Sequence, residues 1–323
     1  MTRAQSMTEF ELIGRYFTRP TPHAVLGIGD DAALLTVSSG FELVAATDMM
    51  VEGTHFFPDV DAESLGHKIL AVNLSDLAAM GAQPRWAMLA MAIPQADAVW
   101  LEKFARGFFA LATRHDVELI GGDTTRGPRN FCVQIMGEVE AGRALRRDGA
   151  RIGDEVWLSG QLGEAALAVA HIKGELQLSE ALAARCRLRM EWPQARVALG
   201  RALVGLAHSA IDISDGLLAD LGHICERSGV GAMIDFDALP CVPDVRSMKE
   251  RDQVARALLA GGDDYELCFT VPPGNDPMLR ALSGQLGTPL TRVGAIVPGK
   301  RVEVRGAEGR PIEWKEKGFE HFR

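Results

Sequence analysis

The stretch Gly27-Ile28-Gly29-Asp30-Asp31-Ala32-Ala33-Leu34 decides the fold, because it comes close to the G-x-G-x-x-G/A turn of a dinucleotide-binding βαβ unit. That turn requires a helix behind it, whose first amides meet a pyrophosphate. Here the chain runs through a short apolar segment, Ala32–Val37, to the turn Ser38-Ser39-Gly40 and a second strand-like run. This pattern predicts a hairpin, with no helix dipole at the loop. Asp30 and Asp31 would also repel a pyrophosphate by roughly 4 kcal/mol per close pair at an effective dielectric of about 20. The dinucleotide reading fails. Two adjacent carboxylates suit a divalent cation instead.

If so, further oxygen donors are expected at strand ends and on one helix face, and the sequence supplies them. Thr47-Asp48 closes the strand-like run Glu42–Thr47. Asp76 follows Asn73 by one helical turn, so both project from one face of a helix over Glu63–Met80. Asp123 follows the strand Val117–Ile120 and two glycines, in LIGGDTTRG. Asp212 and Asp215 bracket Ser214 at a strand-to-helix turn, in DISDGLLADL. Each acid taken singly is also explained as a turn or cap residue. Asp76 resists that explanation, since it lies in an apolar stretch where an unpartnered carboxylate is expensive. Hard oxygens of this kind suit Mg²⁺, which usually keeps waters and substrate phosphates in its shell. Candidate phosphate binders are Arg126, Arg146, Arg147, and Ser214 with the first amides of the helix after it. The chain contains no Walker A loop and no protein-kinase HRD or DFG set.

The remaining features are those of an ordinary soluble chain. Its 323 residues suggest two domains, and the pattern alternates strand and helix: strands at Trp86–Ile93 and Phe131–Val139, a helix over Ala98–Arg114. The stripe Phe104, Phe108, Leu111 on that helix faces the core. The turn-rich stretch Arg143–Asp154 marks the boundary, giving domains at 1–142 and 143–323. The second half restarts with a strand at Glu155–Ser159. A helix beginning near Gly163 and a long helical region to about Ala207 follow, then strand–turn–helix at Ala210–Arg227 and later strands at Ala232–Phe236, Tyr265–Val271 and Arg292–Val297. The fold class is α/β (α+β), in two domains. A net charge of −9 argues against nucleic acid and anionic membrane as partners. Five scattered cysteines without a C-x-x-C fit a reducing, cytoplasmic setting, and no signal-peptide or membrane-spanning run is present.

The motifs GIGDDAA, TDMMVEGTHF, NLSDLAAMGAQP, LIGGDTTRG, RRDGARIGDEVWLSG, DISDGLLADL, GGDDYELCFT and GFEHF follow one another across nearly the whole chain. In that order they resemble the thiamine-monophosphate kinase family of the aminoimidazole-ribonucleotide-synthetase-like ATP-binding superfamily. The resemblance implies a two-domain fold whose N-terminal sheet forms a barrel with its twin in a homodimer. It implies ATP-dependent, in-line phosphorylation of thiamine monophosphate to thiamine diphosphate, with several Mg²⁺ ions per site. Asp30, Thr47, Asp48, Asp76, Asp123, Asp212 and Asp215 match the family's metal positions. Ala46 stands where the family often has Ser, so only its carbonyl is left to serve. Gly122, Asp123, Arg147 and Ser214 match ATP contacts, and His55, Asp263 and Phe319 match contacts to the thiamine part. Asp263 is a methylene shorter than the family's usual Glu. No covalent or general-base residue is implied. Two alternatives stay open: another branch of the superfamily, and a catalytically silent ATP- or Mg²⁺-binding protein.

Overall fold

The computed structural model describes residues 8–248, 252–306, 309–314 and 318–321. The first seven residues of the N-terminal stretch and Phe322 of GFEHF lie outside that set. Two compact units emerge: residues up to Leu77 with Ala82–Gly142, and Ala78–Gly81 with residues from Arg143 onward.

In the first unit, strands β1 (Phe41–Val51), β2 (Gln83–Ile93), β3 (Glu118–Arg126) and β4 (Asn130–Glu140) form one sheet in the order β1-β4-β2-β3. Only the β2–β3 pair is parallel, as expected of strands joined by a helical crossover. Helices α1 (Glu9–Leu12), α2 (Ala62–Ala79) and α3 (Ala98–His115) complete the unit, with a π turn after α1. The side chains of Phe131, Val133 and Ile135 on β4 and of Leu89 and Met91 on β2 are buried on one face. There Phe104 of α3 stacks on Phe131 at 5.0 Å between ring centroids. Phe104, Phe108 and Leu111 are all buried, in accord with the core stripe. On the opposite face the odd positions of β1 stay open, with Leu43 47% and Met49 54% exposed. Helices α2 and α3 cross backbone to backbone. A methyl group on Gly66 would land on the Phe104 carbonyl, and one on Gly107 on the Glu63 carbonyl.

The second unit carries a seven-stranded, mostly antiparallel sheet in the order β11-β10-β7-β9-β5-β8-β6. Its strands are β5 (Glu155–Ser159), β6 (Ser209–Asp212), β7 (Gly231–Asp235), β8 (Leu267–Val271), β9 (Leu290–Val297), β10 (Val302–Arg305) and β11 (Pro311–Ile312). Its helices are α4 (Glu164–Ile172), α5 (Glu180–Glu191), α6 (Val197–Leu203), α7 (Leu217–Ser228), α8 (Pro243–Arg246), α9 (Asp252–Ala260) and α10 (Asp276–Leu286).

Three readings of the sequence need correction. The helix expected near Gly163 forms as α4 and ends where Gly174 turns left-handed (φ 75°), but the long helical region after it, to Ala207, is two helices, α5 and α6, separated where Pro193 denies the chain an amide donor. The strand placed at Tyr265–Val271 starts at Leu267, because Tyr265 is itself left-handed at φ 51°. The hairpin does form, but Leu26 bridges Leu34 across the GIGDDAA loop, rather than across Ser38–Gly40. The element after the loop is the strand β1, so the helix that a dinucleotide turn needs is not there.

Candidate active site

In the first unit, Asp30 and Asp31 are exposed at the tip of the Leu26–Leu34 bridge, and the Asp31 amide donates to the Asp30 carboxylate at 2.8 Å. The Asp48 amide donates to the Asn73 side chain at 3.0 Å, which fixes α2 against β1. Asp76 lies one turn beyond Asn73 on α2 and is half-buried, so Asp48 and Asp76 share the helix-covered side of the sheet. Thr47 alternates to the open side, where its hydroxyl donates to the Val133 carbonyl at 3.0 Å. Asp123 aligns with Ala90, Cys132 and Met49 across the sheet and is exposed on that same open side. Thr47 and Asp48 therefore do not direct their side chains to one ion. Gly122 is required by backbone proximity. Its φ is 147°, and a Cβ there would fall on the Leu89 carbonyl of β2. His55 accepts the Val51 amide at Nδ1 (3.0 Å), which leaves Nε2 as the protonated nitrogen facing outward from that bond.

In the second unit, one tight turn gathers residues far apart in the chain. Asp212 ends β6 and Ser214-Asp215-Gly216 lead into α7. The Asp263 amide donates to the Ser214 carbonyl at 2.8 Å, and the Tyr265 amide to the Ile213 carbonyl at 2.8 Å. The Phe319 amide donates to the Asp215 carbonyl at 3.0 Å. Ser214, Asp215, Asp263 and Phe319 thus meet at one place, with the Phe319 ring half exposed and edge-on to His321. Asp263 itself is left-handed, at φ 73°. Two left-handed non-glycine residues within three positions cost on the order of 1–3 kcal/mol each, a strain that functional loops characteristically carry.

Several supports around this turn were not evident in the sequence. Asp264 is half-buried and takes the Gly163 amide on both carboxylate oxygens, at 2.9 and 3.0 Å. Its burial raises its pKa well above the ordinary carboxylate range, and the neighbouring acids Glu266, Asp263 and Glu164 push the same way, against the Gly163 amide. Glu266 is gripped bidentately by Arg196, at 2.5 and 2.6 Å, and by the Ser159 hydroxyl. A small cleft lined by Gln161, Glu164, Arg189, Asp263, Asp264 and Glu266 opens beside Asp263. Asp220 on α7, 3% exposed, accepts the amides of Ser214, Asp215 and Gly216 at 3.1, 3.1 and 3.0 Å. Burial, then the charges of Asp212 and Asp215, push the Asp220 carboxyl up to about 7 in spite of those amides.

The Asp220 bonds narrow one expectation. Ser214 and the first-turn amides of α7 are the expected cradle for an outside anion. Asp220 takes the amides of Ser214, Asp215 and Gly216, which precede the helix, so Ser214 offers a ligand its hydroxyl and not its amide, while the amides of Leu217, Leu218 and Ala219 are not among those bound to Asp220. Arg147 is exposed, and its carbonyl accepts the Ser228 hydroxyl (2.9 Å) at the far end of the twelve-residue α7. Within this unit it stands about 18 Å along the helix from Ser214. Arg146 is committed to Asp148 by two bonds, at 2.6 and 2.9 Å. Among the described residues, no three His, Cys, Asp or Glu side chains are grouped closely enough to hold a metal ion by themselves.

The chain matches the AIR synthase related proteins in both of their domains. The model of their N-terminal domain matches residues 29–139, and that of their C-terminal domain residues 151–307. The chain is 44% identical to the thiamine-monophosphate kinase of Salmonella typhimurium, over 97% of this chain and 98% of that one. Its structure is similar to that of thiamine-monophosphate kinase from Stenotrophomonas maltophilia K279a (TM-score 0.84, 46% identity, 96% and 98% of the two chains). It is also similar to AaThiL complexed with AMPPCP and TMP (TM-score 0.73, 29% identity, 85% and 88%). The chain belongs to the thiamine-monophosphate kinase family.

Proposed function

We propose that this protein transfers the γ-phosphoryl group of ATP to thiamine monophosphate, giving thiamine diphosphate and ADP. The observation that carries the reading is the turn at 213–216, which joins Ser214, Asp215, Asp263 and Phe319 through backbone hydrogen bonds of 2.8 to 3.0 Å. An acidic protein suits such a reaction. The acceptor phosphate is already largely ionised near neutral pH, so no protein base is needed, and phosphoryl transfer depends mainly on positioning and charge neutralisation.

Mg²⁺, when bound, supplies the positive charge that lets two polyanions approach. The donor chemistry fits it: Asp30, Asp48, Asp76, Asp123, Asp212 and Asp215 are hard oxygen ligands, with the Thr47 and Ala46 carbonyls beside Asp48. No described group of three acids closes a cage, in keeping with an ion that completes its shell with water and phosphate oxygens. Gly122, Asp123, Arg147 and the Ser214 hydroxyl are assigned to the nucleotide. His55 through Nε2, Asp263 beside its cleft, and the Phe319 ring are assigned to the thiamine part. The aromatic face of Phe319 suits a cationic thiazolium, a contact of about 0.5–2 kcal/mol.

A homodimer accompanies this reading. Phe41, Leu43 and Met49 line the uncovered face of the first sheet, a surface that otherwise leaves large apolar side chains in water. A cytoplasmic location fits the five unpaired cysteines. Among the described residues, no helix is long and apolar enough to cross a membrane.

The test is a product assay with Mg-ATP and thiamine monophosphate. Equal amounts of ADP and thiamine diphosphate, dependent on Mg²⁺ and absent with free thiamine, are expected. ATP consumption without thiamine diphosphate would move the substrate to another branch of the superfamily, and no consumption by folded protein would leave a silent binder.

A further inference from the structure

We infer that Asp220 is a positioning residue for the acid turn, acting as a hydrogen-bond acceptor from inside the protein and not as a ligand. This rests on the kinase reading for its consequence but not for its geometry. A helix start leaves several amides without partners, and these usually take a capping side chain, water or a ligand. Gly216 at the N-cap of α7 has no side chain to offer. A single oxygen of Asp220, one turn into the helix, receives the amide of that N-cap and the two amides before it, so that Ser214, Asp215 and Gly216 all donate to one acceptor. Successive amides converging on one anion form a nest, which fixes the backbone that makes it. The conformation so fixed is one that only glycine takes readily at 216, where φ is 124° and a Cβ would stand 2.7 Å from the Ala260 carbonyl carbon.

The turn has two sides, and both are used. Inward, its amides close on Asp220. Outward, its carbonyls hold the amides of Asp263 and Phe319. Moving the Asp220 oxygen therefore displaces Asp215 and Ser214, and with them the two chain segments hydrogen-bonded to their carbonyls. Contacts assigned to the metal and contacts assigned to thiamine share this one support. Asp220 itself is too enclosed to reach either.

Two substitutions separate an acceptor from a charge. Asp220→Asn keeps one acceptor oxygen at the same reach and removes the charge. Asp220→Glu keeps the charge and moves the oxygens by one methylene. A positioning role predicts that D220E raises the half-saturating Mg²⁺ concentration and the KM for thiamine monophosphate together, by on the order of tenfold, and more than D220N does. It also predicts faster amide exchange at Ser214, Asp215 and Gly216 in D220E than in D220N, measured on the protein without metal or nucleotide. The reverse ranking, with D220N the worse in KM and Mg²⁺ dependence, would make Asp220 a charge-bearing ligand and overturn the inference. Lowered melting temperatures with neither KM nor Mg²⁺ dependence changed would reduce it to a structural residue. If wild-type protein forms no thiamine diphosphate the kinase reading falls, while the exchange comparison still decides the role of Asp220.

Discussion

Asp30 and Glu138 show how differently two carboxylates of one unit are employed. Asp30 is exposed and its own amide neighbour is its only described partner, so Asp30→Ala should leave the melting temperature nearly unchanged while turnover drops by on the order of a hundredfold or more, measured by the product assay. Glu138 is buried on β4, where burial alone would raise its pKa. The Ser38 amide and hydroxyl and the Arg85 guanidinium outweigh that and hold it below its ordinary 4.5. A carboxyl with a lowered folded pKa stabilises above its unfolded value and loses that contribution as pH falls through the folded one. Glu138→Gln should therefore melt lower than wild type at pH 7, and the two curves should converge as pH is taken well below 4.5, followed by calorimetry. The acids proposed for metal were legible in the sequence because each stands beside or near Gly, Ser or Thr, most of them at a predicted strand end or loop and Asp76 on the face of an apolar helix. Asp220 and Asp264 were not, since an acid whose partners are backbone amides looks like any other until the partners are known. A signal was present for Asp220: an acid between Leu218 and Leu221 in the first turn of an apolar helix needs donors, and the nearest are the amides of the turn that leads into the helix.

Between elements, close approach decides more than propensity. The α2–α3 crossing depends on Gly66 and Gly107 facing each other's carbonyls, and neither is in a turn that would draw attention to it. Gly107→Ala should lower the stability of the first unit by about 3 kcal/mol through overpacking, read as a shifted denaturant midpoint with unchanged slope. Gly66→Ala should do the same, and the double variant should lose less than the sum, because both act on one crossing. The periodicity of α3, β2 and β4 was readable, as each buries one face, whereas α2 is buried nearly all round. The breaks at Gly174 and Pro193, and the short strands β10 and β11, fell below what a pattern of apolar residues resolves. The left-handed Tyr265 was unreadable for another reason. Tyr rarely adopts that conformation, and its amide bond to the Ile213 carbonyl helps to hold it there.

For the whole molecule, the alternation of strands and helices in the first unit followed from the sequence, while the division of labour between the faces of its sheet did not. Alternation along β1 is weak because Ala45, Ala46 and Thr47 are small, and only the register with β4 reveals which residues stay open. If that face is where two copies meet, Leu43→Glu and Met49→Glu should convert a dimer to a monomer in light scattering, and the single unit should keep its helix content. Were both variants to elute at the same mass as wild type, the dimer would have to be built on another surface. Because the homodimer and the chemistry are separate proposals, loss of activity on dissociation would join them and retained activity would part them.

The occupied turn before α7 also bears on inhibitor chemistry. A compound designed to place a phosphate or carboxylate against the backbone of Ser214, Asp215 and Gly216 would meet amides already spent on Asp220. A compound that reaches the Ser214 hydroxyl from the other side of the turn, and lays a flat ring toward the half-exposed Phe319, would address groups that the turn presents outward.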